Sequence, residues 1–318
     1  MARILVTGAG GFIGRALCRT LAVRGHRVIA GLRRPAAPDR ASPEIEPRIL
    51  GDIVPERDWS GALRGAEIVI HLAQRAHRRA SDQELAGEPA AAAALLRAAA
   101  AEGARCFIYV SSIKAMGEAT ATGRPFRADD PPHPKDAYGR AKLTSEQALS
   151  RAAEAAAVEL VVVRPPLVYG PGVGGNFRAL LRLAGSGLPL PFAAVDNRRS
   201  LLARDNLVDL LAVAATHPGA AGRVWLAADG EDLSTAALVR ILARGQGRGA
   251  RLFPMPDPVF SLLRRLPGIG NPVCRLTQSL QVDIMPTRTM LGWNPPVSAE
   301  AALIATARAH HDANAAAG

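Results

Sequence analysis

Short apolar stretches alternate with longer segments of helical periodicity over the first half of the chain. The apolar stretches are rich in Val, Ile and Leu, and they predict strands at Arg3–Thr7, Arg27–Gly31, Arg48–Asp52, Ala66–Ala73, Arg105–Ser112 and Glu159–Pro165. The longer segments predict helices at Phe12–Arg24, Glu84–Glu102 and Ala137–Ala157. Strands this apolar are typical of a parallel sheet with helices on both faces. The pattern therefore predicts an α/β fold with a doubly wound parallel sheet.

The pattern changes after Pro165, where Gly and Pro cluster between shorter helical segments. These segments predict helices at Asn176–Ala184, Asn206–Thr216, Ser234–Arg244 and Ser298–His310. We predict that residues 1–165 form the main α/β domain and carry the reacting groups. Residues 166–318 would form mainly a smaller C-terminal substrate-binding lobe, with some segments returning to the main sheet.

The bulk composition limits the classes of function. Hydrophobic residues make up 48% of the 318 residues, which is ample material for a packed core. The formal net charge of +11 favours anionic partners such as phosphates and nucleotides. The arginines are scattered, without a basic tail or a block interleaved with aromatic residues, so we expect no nucleic-acid partner.

The spacing of the cysteines and the length of the apolar stretches indicate the cellular compartment. Cys18, Cys106 and Cys274 are far apart and show no ligand spacing, so we expect no disulfide framework, no metal site and a reducing compartment. The first strand follows the N-terminus without an apolar targeting segment. The longest apolar stretches, Pro89–Ala101 and Leu160–Val163, are too short to span a bilayer. We therefore expect a cytoplasmic protein without a membrane span.

The turn between the first strand and the first helix reads TGAGGFIG and contains four glycines. Gly8 lets the chain turn off the strand, Gly10 and Gly11 keep side chains away from a pyrophosphate, and Gly14 lets the helix pack close to the sheet. The helix N-terminus then offers unpaired N–H groups to the phosphates. Because the motif follows a strand and opens a helix, it predicts a Rossmann-type dinucleotide-binding domain.

The end of the second strand bears on which dinucleotide is bound. An acidic residue there would bond the ribose hydroxyls of NAD, but the chain has Leu32 followed by Arg33. An arginine at this place accommodates a 2′-phosphate, so we expect NADP(H) to be favoured over NAD(H). The alternative is that Arg33 stacks on the adenine or faces water. Asp52, at the end of the third predicted strand, is a candidate adenine contact.

Candidate chemistry follows the fifth strand. Ser111 and Ser112 end that strand, and Tyr138 and Lys142 stand four apart at the start of the next helix, so their side chains share a helix face. An ammonium beside a phenol lowers the pKa of the phenol, which would make Tyr138 an acid/base near neutral pH. The serine hydroxyl could hold a carbonyl or alcohol of the substrate. Chance spacing and simple helix capping are the alternatives.

Several segments together resemble the extended short-chain dehydrogenase/reductases, specifically the nucleotide-sugar epimerase/dehydratase group. The resemblance runs from Arg3 to about Arg308 and rests on VTGAGGFIG (Val6–Gly14), HLA (His71–Ala73), VSSIKAMGE (Val110–Glu118), YGRAK (Tyr138–Lys142), RPPLVYGPG (Arg164–Gly172) and LGWNPPVS (Leu291–Ser298). These motifs are specific for the fold and the cofactor class, and less specific for the reaction.

The resemblance implies roles for individual residues. Ser112, Tyr138 and Lys142 would be catalytic. The implied cofactor-binding residues are Gly8, Gly10, Gly11, Phe12, Ile13, Gly14, Arg33, Asp52, Ile53, Leu72, Ala73, Ser111, Tyr138, Lys142, Pro165 and Val168. The implied substrate-binding residues are Ser112, Asn176, Phe177 and Arg199, with Arg199 on the substrate pyrophosphate. Helix capping by Asn176 and a surface position for Arg199 are the alternatives. A homodimer built on the helix carrying Tyr138 is also implied.

Two positions depart from the family pattern. Glu88 stands where the family often has an asparagine, which bears on hydrogen bonding near the cofactor. Met116 replaces a tyrosine that often touches the sugar, so the sequence leaves the sugar open.

Three functions remain open at this stage. The resemblance favours NAD(P)-dependent reduction of a 4-keto UDP-(6-deoxy-amino)sugar in surface polysaccharide synthesis, with Tyr138 as acid/base. The alternative is a UDP-hexose 4-epimerase, of the UDP-glucose or UDP-N-acetylglucosamine type, with tightly bound NAD. A second alternative is a non-catalytic NADP(H)-sensing module. A 4,6-dehydratase is disfavoured because the acidic pair typical of those enzymes is replaced by Ile113 and Lys114.

Overall fold

The strands meet in two sheets. The computed structural model describes residues 1–35, 43–59, 61–73, 81–268 and 270–316. Its strands are β1 (Arg3–Thr7), β2 (Arg27–Leu32), β3 (Ile45–Ile49), β4 (Ile68–His71), β5 (Cys106–Val110), β6 (Glu159–Arg164), β7 (Leu167–Tyr169), β8 (Arg199–Ala203), β9 (Arg223–Leu226) and β10 (Asp232–Leu233). Seven of them form one sheet in the order β3-β2-β1-β4-β5-β6-β9, and the others form a three-stranded sheet in the order β10-β8-β7.

Every neighbouring pair in the large sheet is parallel, and its strand order reverses between β1 and β4. The carboxyl ends of parallel strands lie at one edge, and a crevice opens where the order reverses. The predicted α/β, Rossmann-type doubly wound sheet is therefore confirmed. The turns after β1, β2, β4 and β5 border this crevice.

The helices cover both faces of the large sheet and build the smaller lobe. They are α1 (Phe12–Val23), α2 (Asp82–Ala101), α3 (Ala137–Ala156), α4 (Gly175–Gly185), α5 (Arg204–Ala214), α6 (Thr235–Gly245), α7 (Asp257–Leu263), α8 (Gly270–Thr277), α9 (Met285–Leu291) and α10 (Ala299–Ala315). Among the described residues, no helix combines the length and apolarity needed to cross a bilayer.

Two apolar layers hold the sheet. On one face, Leu17 and Leu21 of α1 pack with Leu207 and Leu211 of α5 and with Trp225 of β9. On the other face, buried leucines of α2 and α3, including Leu96 and Leu149, pack against the sheet, where they meet the ring of Phe107 of β5. Both α5 and β9 come from the second half of the chain, so that half contributes to the main sheet as well as to the lobe.

The smaller lobe has its own apolar cluster between α4, α6 and α10. The rings of Tyr169 and Phe177 stack at its centre with centroids 5.3 Å apart. The hydroxyl of Tyr169 donates a hydrogen bond to Asp229 over 2.7 Å, which satisfies the one polar atom of this buried ring. Phe12, the first residue of α1, is partly buried against this cluster, which joins the lobe to the turn after β1.

The third strand lies earlier than predicted. β3 pairs with β2 from Ile45 to Ile49, so the predicted range Arg48–Asp52 is wrong, and Asp52 follows the strand instead of ending it. Pro47 was a signal against a strand at this place. It is tolerated because β3 is the edge strand of the large sheet in the part of the chain that the structure describes.

Helix α1 approaches β1 so closely that Gly14 leaves no room for a side chain. A Cβ atom at Gly14 would lie 2.2 Å from the carbonyl oxygen of Gly8. We predict that Gly14→Ala lowers the free energy of unfolding by about 1–3 kcal/mol, because the clash exceeds the gain in helix propensity. Urea denaturation would measure it. Gly10→Ala is the control, since its Cβ would meet only the Leu32 side chain at 3.5 Å. Equal stability of the two variants would contradict the prediction.

Candidate active site

The turn after β1 is shaped to receive an anion. Gly8 has a φ of +69°, and a Cβ on it would lie 3.0 Å from the backbone nitrogen of Ala73. Gly11 is the N-cap of α1, no side chain caps that helix, and its first turn holds no acidic residue. Within the described residues, the first backbone N–H groups of α1, at Phe12 and Ile13, are therefore left for a ligand. These features fit the pyrophosphate of a dinucleotide.

A cavity of about 320 Å³ extends from this turn along the carboxyl edge of the sheet. Its walls bring together many of the residues that the sequence singled out, and they include Gly8, Leu32, Arg33, Asp52, Ile53, Ala73, Glu88, Tyr109 and Ser145. Nη1 of Arg33 lies 3.9 Å from Oδ1 of Asp52, and both side chains are well exposed. The predicted adenine and ribose contacts thus share one wall.

A hydrogen-bond node joins β1 to β4 below the cavity. The Thr7 hydroxyl oxygen accepts the N–H groups of Leu72 (3.2 Å) and Ala73 (3.1 Å) and lies 2.8 Å from Nδ1 of His71. Because that oxygen already accepts two bonds, its hydrogen is donated to Nδ1, which requires a neutral imidazole. Burial lowers the pKa of His71 to about 3, with a smaller contribution from the charge of Lys142.

The three predicted catalytic side chains converge at the carboxyl end of β5. Lys142 is fully buried, with Nζ 5.3 Å from the ring centroids of both Tyr109 and Tyr138 and 3.5 Å from the carbonyl oxygen of Val110. Ser112 caps a short 3-10 helix at Ile113–Ala115, with its Oγ accepting the N–H of Lys114. Helix α3 and the loop after β5 thus present Ser112, Tyr138 and Lys142 together.

The direction of the Tyr138 pKa shift differs from the expectation. Burial raises the pKa of Tyr138, the Glu88 and Asp136 carboxylates raise it further, and a hydrogen bond with Ser112 acts in the opposite direction. Burial lowers the pKa of Lys142 to about 7, against the pull of Glu88 and Glu146. The expected lowering of the Tyr138 pKa by Lys142 is therefore wrong for the protein alone. Desolvation is the largest contribution to the pKa shift of each group.

Ser111 does not offer its side chain to the cavity. Its hydroxyl donates a hydrogen bond to the Glu146 carboxylate, which is also paired with Arg164 through Nε (3.0 Å) and Nη2 (2.5 Å). All three side chains are buried. The expectation that Ser111 binds the cofactor can therefore hold only for its backbone. Met116, the family departure, is buried against the same guanidinium.

The remaining predicted cofactor contacts border the crevice. Leu72 follows β4, and Val168 lies in β7. Both side chains are partly buried and pack against the core of the large sheet. The carbonyl oxygen of Pro165 accepts the N–H of Ile113 over 2.9 Å, which joins the end of β6 to the loop carrying Ser112. The end of β6 and the loop carrying Ser112 both lie beside the carboxyl end of β5.

The predicted substrate contacts lie in two places. Asn176 is exposed in the first turn of α4. Phe177 is in the apolar cluster of the lobe, so its side chain serves packing and only its backbone remains for a ligand. Arg199 opens β8 and donates from Nη1 to the carbonyl oxygen of Gln278 over 2.9 Å. Burial, and then the charge of Arg275, lower the pKa of Arg199 to about 10. Arg275 of α8 was not predicted, because nothing in its local sequence distinguishes it from the other arginines.

The comparisons with known proteins agree with this geometry. The family model described as "NAD dependent epimerase/dehydratase family" matches residues 4–228. The "UDP-glucose 4-epimerase" of Vibrio cholerae is 38% identical, with 98% of this chain and 96% of that protein covered. The "2-alkyl-3-oxoalkanoate reductase" of Stenotrophomonas maltophilia is 31% identical, with 77% of this chain and 76% of that protein covered.

The similarity to solved structures concerns the fold. The crystal structure of UDP-glucuronic acid 4-epimerase from Bacillus cereus in complex with NAD superimposes with a TM-score of 0.77, covering 98% of this chain and 99% of that chain. The sequence identity is 21%. The doubly wound sheet and the smaller lobe are therefore common to both structures.

The buried neutral imidazole of His71 makes stability depend on pH. The unfolded chain binds this proton below about pH 6.5, whereas folded His71 resists it down to about pH 3. The free energy of unfolding should therefore fall as the pH is lowered from 6.5 towards 3, by about 1.4 kcal/mol per unit from this group. Urea titrations between pH 6.5 and 5 would measure the slope.

In that titration His71→Gln keeps an acceptor for Thr7 but has no titrating group, so its slope should be flatter than that of the unmodified protein. His133→Gln, at an exposed position, is the control and should retain the original slope. The interpretation of His71 is wrong if all three proteins show the same pH dependence.

Proposed function

The chain belongs to the NAD dependent epimerase/dehydratase family, and we propose that within it the protein is a UDP-hexose 4-epimerase. The observation that carries the proposal is the similarity to the Vibrio cholerae UDP-glucose 4-epimerase, at 38% identity over 98% of this chain. The grouping of Ser112, Tyr138 and Lys142 beside the cavity supplies the side chains that such a reaction needs.

The cavity residues fit a nicotinamide dinucleotide. The backbone of the turn Gly8–Gly14 would hold the pyrophosphate, and Arg33, Asp52 and Ile53 would surround the adenosine half. Leu72 and Ala73 would border the centre of the cofactor. A bound dinucleotide supplies the acceptor and donor of hydride and, when oxidised, a positive charge that favours the phenolate of Tyr138.

The side chains of this protein would move the proton. As a phenolate, Tyr138 would take the proton of the sugar C4 hydroxyl and become a neutral phenol, and it would give that proton back to the C4 oxygen when the C4–H bond re-forms on the opposite face. The Ser112 hydroxyl donates a hydrogen bond to the C4 oxygen. Nζ of Lys142 lies 5.3 Å from the Tyr138 ring centroid, and the protonated form of Lys142 stabilises the phenolate.

The smaller lobe would hold the nucleotide. Arg199 and Arg275 place two cationic groups close enough for one to lower the pKa of the other. Two phosphates between them would remove that repulsion, and arginine offers paired N–H donors to phosphate oxygens. The exposed amide of Asn176 at the start of α4 would contact the base or ribose.

A second candidate function, reduction of a 4-keto UDP-sugar, is favoured by two observations. Arg33 stands where a 2′-phosphate would lie, and NADPH is the usual donor in reductions. The raised pKa of Tyr138 keeps the phenol protonated, which suits a proton donor. A reductase at 31% identity is also among the relatives.

We also propose a cytoplasmic location and retain the homodimer built on α3 as a proposal. All three cysteines are free thiols, and Cys18 and Cys106 are buried. Unpaired thiols suit a reducing compartment.

Substrate assays separate the two candidates. We predict interconversion of UDP-glucose and UDP-galactose, or of their N-acetyl forms, without net change of cofactor, and a fall of about 100- to 10,000-fold in kcat for Tyr138→Phe. Tyr169→Phe, which removes a buried hydroxyl in the lobe, is the control and should keep kcat within about threefold. Stoichiometric NADPH consumption with a UDP-4-keto sugar, and no epimerisation, would support the reductase instead.

Arg33 provides a separate test of cofactor choice. The second candidate predicts that the protein binds NADP⁺ more tightly than NAD⁺, and that Arg33→Ala weakens NADP⁺ about tenfold, because a charge-assisted hydrogen bond to the 2′-phosphate is lost. Affinity for NAD⁺ should stay within about threefold. Calorimetry measures both, and Arg34→Ala, at the next exposed position, is the control. Unchanged NADP⁺ affinity in Arg33→Ala would overturn this assignment.

A further inference from the structure

Lys114 contacts both segments that carry the proposed catalytic residues, the loop after β5 with Ser112 and the start of α3 with Tyr138. Its backbone N–H donates to Oγ of Ser112 over 3.2 Å. Its ammonium donates to Oε1 of Glu118 over 2.6 Å and to Oδ2 of Asp136. Lys114 follows β5 and Asp136 precedes α3, so this side chain joins two elements that are 22 residues apart in sequence.

Asp136 uses its two carboxylate oxygens for different tasks. Oδ1 accepts the N–H of Gly139 over 2.7 Å and so caps α3, while Oδ2 accepts the ammonium of Lys114. Tyr138 is the second residue of the helix that this carboxylate caps. Burial alone would raise the pKa of Asp136, but the bonds from Lys114 and Gly139 lower it, so the carboxylate stays charged.

The backbones also meet at this point. A Cβ atom at Gly139 would lie 2.4 Å from the carbonyl oxygen of Lys114, so the first turn of α3 rests directly on the loop after β5. The Lys114 side chain is 26% exposed, which makes the ion pair less screened than one on the open surface.

Composition adds an independent observation. Of the 39 Lys and Arg residues, only Lys114, Lys135 and Lys142 are lysines. Lys114 is thus one of few ammonium groups in a chain whose other basic side chains are mostly arginines, and a compact ammonium suits its two carboxylate partners. Its three donors can serve two carboxylates from different directions, whereas a planar guanidinium is matched to one.

We propose that Lys114 is a positioning residue: its ion pairs with Asp136 and Glu118 fix the distance between Ser112 and Tyr138. This inference rests on the proposed function, because it assumes that those two side chains act on one substrate. A shift of about 1 Å between groups that must act together costs up to 100-fold in rate. Without the Lys114 ammonium, the start of α3 would separate from the loop after β5, while the residues proposed to bind the cofactor and the substrate would stay in place.

The test compares Lys114→Met with Lys135→Met, which removes the same charge at an exposed position next to Asp136. We expect Lys114→Met to lower kcat about 10- to 100-fold with KM within about threefold, and Lys135→Met to keep both. Asp136→Asn retains a capping oxygen but loses the ion pair, so it should resemble Lys114→Met. The double variant should be no slower than the slower single variant, because both remove one interaction.

Hydrogen exchange gives a readout that does not depend on activity. Amide exchange at 138–141 should accelerate about tenfold or more in Lys114→Met and not in Lys135→Met, because the capped turn loses its anchor. Unchanged exchange, unchanged kcat, or multiplying losses in the double variant would overturn the positioning role. Full activity of Tyr138→Phe would instead overturn the proposed function, so the two failures can be told apart.

Discussion

The position of α3 over the carboxyl ends of β5 and β6 depends on the buried ion pair between Glu146 and Arg164. The Glu146 carboxylate also accepts the Ser111 hydroxyl, so one charged group binds the helix, the sixth strand and the loop after the fifth. Loss of either partner would leave a charge buried without compensation, which costs several kcal/mol. Lys142 lies one helical turn before Glu146 and Asp136 caps the start of the helix, so polar contacts hold the first half of α3.

This anchoring explains how the site tolerates its electrostatics. A phenol and an amine are held in an apolar environment that disfavours the charge on each of them. The oxidised nicotinamide ring of the proposed dinucleotide would add a positive charge that favours the Tyr138 phenolate. The ability of Tyr138 to accept a proton would then depend on whether the cofactor is bound and on its redox state. The rigid attachment of α3 keeps the distances fixed while the charges change.

The sequence predicted the parts of the molecule that local patterns determine. The glycine turn, the apolar strands and the i,i+4 spacing of Tyr138 and Lys142 each follow from neighbouring residues, and the fold agrees with them. The edge strand β3 was misplaced because its register depends on pairing with β2 and not on its own hydrophobicity. The direction of the Tyr138 pKa was missed because desolvation depends on the surrounding fold. Arg275 was missed because its neighbour Arg199 is 76 residues away in sequence.

The concentration of lysines in one short segment has a practical consequence for handling the protein. With Lys142 buried, amine-directed reagents can reach only Lys114, Lys135 and the N-terminal amine in the folded chain, while the arginine-covered surface does not react. Attachment to a support through amines would tether some of the molecules through Lys114, beside Ser112 and the start of α3, where the support would obstruct the proposed site. A tether through a terminal tag would leave these positions free.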